Sequence, residues 1–153
     1  MPDNDGSGAS TERTKRLAIT LIDCYTRKDR EGLQQAAAGA ADDVADVTSE
    51  LKVFASLLTR RVQETGVVFK PADSREAVAG AVADMLPPEV EFAVVTAWEA
   101  YSVGEEETAE RFTNGDPTIY MHMLAAFSSA IGLAVYKEAE LVSTLRIAAG
   151  LEE

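Results

Sequence analysis

The sequence predicts an all-α protein, a single domain of six or seven helices. Three observations support this prediction. Of the 153 residues, 25 are alanine, the residue with the highest intrinsic helix propensity. Apolar residues recur three or four positions apart along most of the chain, which is the spacing of one helix face. The β-branched and aromatic residues are scattered, and no two alternating segments indicate a sheet.

The N-terminal residues are small and polar, and the first helical pattern begins after them. Residues 1–11 read MPDNDGSGAST, so we expect a disordered tail there and a single folded domain over residues 12–153. The first helix is expected from about residue 13 to residue 27. Leu17 and Leu21 are four positions apart and start its apolar face.

Two acidic caps indicate the next two helices. Asp29 is a suitable N-cap for a short helix over residues 30–38. Asp42 or Asp43 is a suitable N-cap for a long helix that ends near Thr65. The apolar face of this long helix repeats every three or four positions and consists of Val44, Val47, Leu51, Phe54, Leu58 and Val62.

The middle of the chain contains three shorter segments. Residues 67–70 form an apolar run before a proline and are expected to be extended, although no second strand is evident to pair with them. A helix is expected over residues 73–86. The next helix begins at Pro88, since proline favours the first helical position, and ends at Gly104. A short acidic helix is expected over residues 105–112.

The last helical pattern is unusually long. Asp116 and Pro117 form an N-cap followed by a proline at the first helical position, a strong start signal. The pattern continues to about Ala149, and such a straight helix would be roughly 50 Å long. A domain of this size has a radius of gyration of about 15 Å. We therefore expect a bend near Gly132, the alternative being an end that projects to a dimer partner.

The two halves of the chain resemble each other. When the sequence is shifted by 76 residues, Thr20 aligns with Thr96 and Tyr25 with Tyr101. The order of the predicted helices also matches, as a medium, a short and a long helix. We infer that residues 17–65 and 93–141 could be two related three-helix units, although amphipathic helices of similar length also align by chance.

The charge is strongly negative and unevenly placed. The net charge is -12, of which -11 belongs to residues 63–153, whereas residues 11–30 carry +3. An acidic protein of this kind is not expected to bind nucleic acid. No apolar run reaches the roughly 18 residues of a membrane span, and no signal-peptide pattern is present, so we expect a cytoplasmic protein. The alanine and arginine content is typical of a GC-rich bacterial genome.

Catalytic and metal-binding patterns are missing from the sequence. His122 is the one histidine and Cys24 the one cysteine, and neither lies in a known metal or nucleophile motif. Cys24 and His122 are far apart in sequence, so they could form a pair only if the fold brings them together. Asp23 and Glu99 are the best candidates for paired catalytic carboxylates, but both lie at the edges of apolar faces. We therefore expect neither an enzyme nor a metal or cofactor.

An acidic cluster and an aromatic group remain as candidate functional features. The run Glu105–Glu107 could attract a cation or a basic partner, but acidic residues are also favoured at a helix N-terminus. The leading functional hypothesis is a non-catalytic protein that interacts with itself, as a homodimer, or with another protein. The alternative is a regulatory domain that binds a small molecule in a pocket formed by the large side chains Trp98, Tyr101, Tyr120, His122 and Phe127.

Overall fold

The residues that the structure describes form eight α-helices joined by turns and loops, and no β-strand. The structure is a computed structural model. It describes the backbone of residues 2–66, 71–113 and 115–151, and the side chains of residues 12–66, 73–113 and 115–151. The helices are α1 (Pro2–Arg27), α2 (Arg30–Gly39), α3 (Val44–Glu64), α4 (Pro71–Val82), α5 (Pro88–Tyr101), α6 (Glu106–Arg111), α7 (Pro117–Gly132) and α8 (Glu138–Ala148).

The all-α class is confirmed, but the described part of the chain has eight helices rather than six or seven. The long C-terminal pattern is divided, because α7 ends at Gly132 and α8 begins at Glu138. Gly132 allows this close return of the chain. A Cβ at position 132 would lie only 2.6 Å from Cδ1 of Leu141, a buried residue of α8. The break is therefore where the sequence places the bend.

Other helix ends follow their caps in most cases. Asp29 accepts a hydrogen bond from the amide of Gly32 at 2.9 Å, and Asp116 accepts one from Thr118 at 3.0 Å. The predicted bounds of α4 are wrong. The helix begins at Pro71, since proline suits the first helical position, and ends at Val82.

Two predictions concern segments that are only partly described. The structure extends α1 back to Pro2, whereas the sequence predicts a disordered tail over residues 1–11. The described side chains begin at Glu12, so the disorder of the tail stays a prediction. The extended run at residues 67–70 lies outside the described residues.

The core of the molecule is built around α7. This helix packs against α1, α3, α4 and α5, and almost every residue from Ile119 to Gly132 is buried. On one side α1 packs against both α3 and α7, and it also contacts α2 and α8. On the other side α5 packs against α7, α4 and α6 without packing extensively on α3. This last arrangement leaves space between α3 and α5.

The two halves share the geometry of one joint. Lys28 and Gly104 are 76 positions apart, and both have a left-handed backbone, with φ of 57° and 87°. Each is followed by an acidic residue whose amide donates to a carbonyl five positions back, at 2.9 Å in both cases. The helices that follow the two joints also begin 76 positions apart, α2 at Arg30 and α6 at Glu106. A left-handed residue followed by this hydrogen bond is a common way for a helix to end, found also at Gly150 after α8, so the pair of three-helix units stays a prediction.

None of the described helices has the length and apolar character needed to cross a lipid bilayer.

Candidate functional site

Four of the five residues proposed from the sequence as a ligand pocket form one aromatic cluster. The indole ring of Trp98 stacks on Phe127 with 4.2 Å between ring centroids. Tyr101 lies beside Trp98 at 5.5 Å, and Tyr120 contacts Tyr101 edge-on at 5.7 Å. The cluster joins α5 to α7. Rings at these distances and angles attract one another beyond simple burial, so the cluster stabilises the packing of α5 on α7.

An open cleft of about 760 Å³ lies above part of this cluster. It occupies the space between α3 and α5, and α7 forms its floor. Trp98 and Phe127 line the floor but are largely buried, whereas Tyr101 is partly exposed. Tyr120 is not among the residues that line the cleft. The volume is within the range of sites that bind small organic molecules.

A buried hydrogen bond fixes the indole of Trp98. Its Nε1 donates to the hydroxyl of Ser74 on α4 at 3.1 Å. Both side chains are buried, and Ser74 also lines the cleft. The bond satisfies the polar edge of the indole, so the ring is held in one orientation against Phe127.

The wall contributed by α3 is polar. Ser56, Arg60 and Gln63 lie at positions i, i+4 and i+7, so they share one face of the helix, and all three are exposed. Their side chains provide a hydroxyl, a guanidinium and an amide. The opposite wall is mostly aromatic. The cleft therefore has one apolar side and one side rich in hydrogen-bond donors.

His122 does not belong to the aromatic cluster, so its assignment to the pocket is not supported by the geometry. Its Nδ1 is 2.8 Å from the hydroxyl of Tyr25 on α1, and the two rings meet edge-on. Burial lowers the pKa of His122 to about 4, and the charge of Asp116 opposes this shift. The imidazole is therefore neutral near pH 7 and holds α1 against α7.

The other candidates for chemistry lie apart from one another. Cys24 is buried on α1, and His122 bonds to Tyr25 instead of pairing with it. Burial, helped by the charges of Asp29 and Asp23 and opposed by Arg27, raises the pKa of the Cys24 thiol to about 11. A reactive thiolate is not expected at such a site.

The two candidate carboxylates each have an arginine partner. Asp23 accepts from Arg27 within α1 at 3.1 Å, and Glu99 pairs with Arg75 at 2.6 Å. Both pairs are at the surface, on different helices. The acidic run Glu105–Glu107 is exposed around the start of α6. No group of three potential metal ligands comes together among the described residues.

Sequence reasoning did not identify the α3 wall of the cleft. Ser56, Arg60 and Gln63 lie opposite the apolar face of α3, where exposed polar residues are ordinary. The signal available was their common face and the lack of an acidic residue among them. That face lines a cleft only because α5 lies opposite it, and the position of α5 cannot be inferred from the sequence of α3.

Comparison with known proteins gives no relative. The chain matches no protein-family model, no curated protein and no solved structure.

Proposed function

We propose that this protein is a small helical domain that binds an organic ligand in the cleft between α3 and α5. The observation that carries the proposal is an open cleft of about 760 Å³ next to an aromatic cluster. Binding sites for small molecules typically combine apolar and aromatic walls with a few polar groups. The cleft has this composition, with Tyr101 on one side and Ser56 and Gln63 on the other.

The position of the single tryptophan provides a direct test. Trp98 lines the cleft and is the one tryptophan of the chain, so its emission reports on this site. N-phenyl-1-naphthylamine is a neutral aromatic probe that fluoresces in apolar surroundings and absorbs where tryptophan emits. We expect saturable energy transfer from Trp98 to the bound probe.

A variant that fills the cleft should abolish this transfer. Ser56→Phe adds a ring at an exposed position of the α3 wall, so the core is left intact. Ser143→Phe makes the same change on the exposed surface of α8 and is the matched control. Circular dichroism confirms that both variants are folded. Binding that is absent in the native protein, or unchanged by Ser56→Phe, would contradict the proposal.

Self-association is a second candidate, favoured by charged groups of α3 and α6 that lie near the same residue, Tyr120. Lys52 of α3 lies over the ring of Tyr120, 5.2 Å from its centroid. Glu106 and Glu110 of α6 lie close enough to Tyr120 for their charges to help raise its pKa, although burial contributes most. Basic and acidic groups are thus neighbours on one surface, and exposed Val53 lies beside Lys52. A surface with both charges is complementary to a second copy of itself under two-fold symmetry.

A further inference from the structure

We infer that the cleft selects aromatic anions and that Arg60 binds their anionic group. The inference rests on the proposed function, since it names the class of ligand for the same cleft. It follows from the charge of the cleft, from the state of the Arg60 side chain, and from the position of the aromatic rings.

The cleft is cationic in a chain that is strongly acidic. The protein has 26 acidic and 14 basic residues, yet none of the described residues that line the cleft is acidic. Arg60 is the one charged side chain among them. The net negative charge of the protein repels anions from most of its surface. A locally positive cleft is therefore a place where an anion would bind in preference.

The guanidinium of Arg60 has no ion pair or hydrogen bond within the described part of the chain. Its neighbour Arg61 differs, because it donates to the hydroxyl of Tyr136 and to Glu64, both at 3.0 Å. Arg13, Arg16, Arg27 and Arg75 also have acidic partners. Arg60 therefore keeps its donors free, and a guanidinium binds carboxylate and similar oxyanions through two parallel hydrogen bonds.

The remaining groups of the α3 wall support the same class of ligand. Ser56 and Gln63 lie one turn before and one turn after Arg60 on the face that borders the cleft. Their hydroxyl and amide groups supply further donors beside the guanidinium. The partly exposed ring of Tyr101 lies on the opposite side, beside the buried indole of Trp98, and favours an apolar aromatic body. An aromatic ligand with an acidic substituent satisfies both sides at once.

Two probes with the same aromatic skeleton separate charge from shape. 1-Anilinonaphthalene-8-sulfonate carries an anionic group that N-phenyl-1-naphthylamine lacks. We expect the folded protein to bind the sulfonate more tightly, with energy transfer from Trp98 in both cases. Arg60→Gln should weaken binding of the sulfonate about tenfold, which is the effect of losing a charge-assisted hydrogen bond, and leave binding of the neutral probe unchanged. Arg61→Gln removes an adjacent charge outside the cleft and should change neither affinity.

The outcomes distinguish the inference from the function on which it rests. If both probes bind equally well, or if Arg60→Gln and Arg61→Gln weaken the sulfonate to the same extent, the selectivity assigned to Arg60 is wrong and the binding cleft stands. If Arg60→Gln weakens both probes equally, the residue has a structural role and the inference also fails. If neither probe binds, both the proposed function and the inference are overturned.

Discussion

Two buried hydrogen bonds join α1 to α7 and explain why His122 is not part of the aromatic cluster. One links Tyr25 to His122, and the other links the hydroxyls of Thr26 and Ser129 at 2.9 Å. All four residues are buried, so each bond satisfies groups that have lost their contact with water. The single histidine of the chain is thus a structural residue in a low-polarity site.

The lowered pKa of His122 makes the stability of the protein depend on pH. The unfolded chain binds a proton near pH 6.5, whereas the folded protein binds it only near pH 4. Between these values acid favours the unfolded state, so stability is complete above pH 6.5 and is lost as the pH falls. We expect a loss of about 2 kcal/mol in the free energy of unfolding between pH 7 and pH 5.

The variant His122→Asn, whose side-chain amide lies where Nδ1 lies, isolates this contribution. Its amide can still bond to the hydroxyl of Tyr25 but does not titrate, so its stability should fall less than that of the native protein over the same interval. Urea denaturation at pH 7 and pH 5 measures both changes, and carboxylate titration is common to the two proteins. Parallel losses in both proteins would show that His122 is not responsible.

Helix geometry explains which site residues the sequence could identify. Tyr120 and Phe127 are seven positions apart and therefore share one face of α7. His122 lies about 200° around the helix from Tyr120, because each residue turns the helix by about 100°. Large side chains near one another in sequence suggested a single pocket, but the helix directs them to different neighbours.

At the scale of helices, a substitution at Gly104 tests how much the left-handed backbone there requires glycine. Gly104 connects α5 to α6 with φ of 87°, a region that costs other residues about 1 kcal/mol or more. We expect Gly104→Ala to lower the free energy of unfolding by about 1 kcal/mol. Chemical denaturation of the purified variant measures the change.

The same substitution in α4 should have the opposite sign. Gly80 is helical, and a Cβ built there meets nothing within 4 Å. Gly80→Ala is expected to raise the free energy of unfolding by roughly 0.5–1 kcal/mol, because alanine favours the helix. Equal effects of the two substitutions would contradict the role assigned to the left-handed joint.

Helix ends were predictable where a local cap determines them. Asp116 with Pro117, Pro88 and Asp29 act within one turn of the chain, so the sequence contains the whole cause. The bounds of α4 were not predictable in the same way. A cap at Asp73 was plausible, but the earlier proline starts the helix two residues sooner.

At the scale of the whole molecule, the proposed self-association predicts a dimer whose stability depends on salt. Light scattering should give about twice the monomer mass at low salt and a lower mass at high salt, since exposed charges are screened. Val53→Asp places an acid on the proposed surface and should give a monomer. Ile147→Asp alters an exposed residue of α8 and is the control. A native protein that is monomeric at every concentration and salt would exclude this interface.

The all-α class was predictable from the sequence, whereas the cleft was not. Class follows from alanine content and apolar spacing, which are properties of single segments. The cleft depends on the distance between α3 and α5, two helices that begin 44 positions apart and both pack on α7. The aromatic residues on α5 and α7 were identifiable in advance, but the donors of α3 that face them were identifiable only once the helices were packed.

The position of α7 also determines when the protein can fold during its synthesis. The helix on which α1, α3, α4 and α5 all pack is the seventh of the eight described, so it leaves the ribosome after all four of them. Tyr25 and Thr26 bond to His122 and Ser129, which are synthesised 97 and 103 residues later. Until α7 emerges, the faces of α1, α3, α4 and α5 that pack on it stay exposed to solvent. Exposed apolar surface of this kind makes a nascent chain prone to aggregation. The core therefore closes only after α7 has been synthesised, rather than helix by helix.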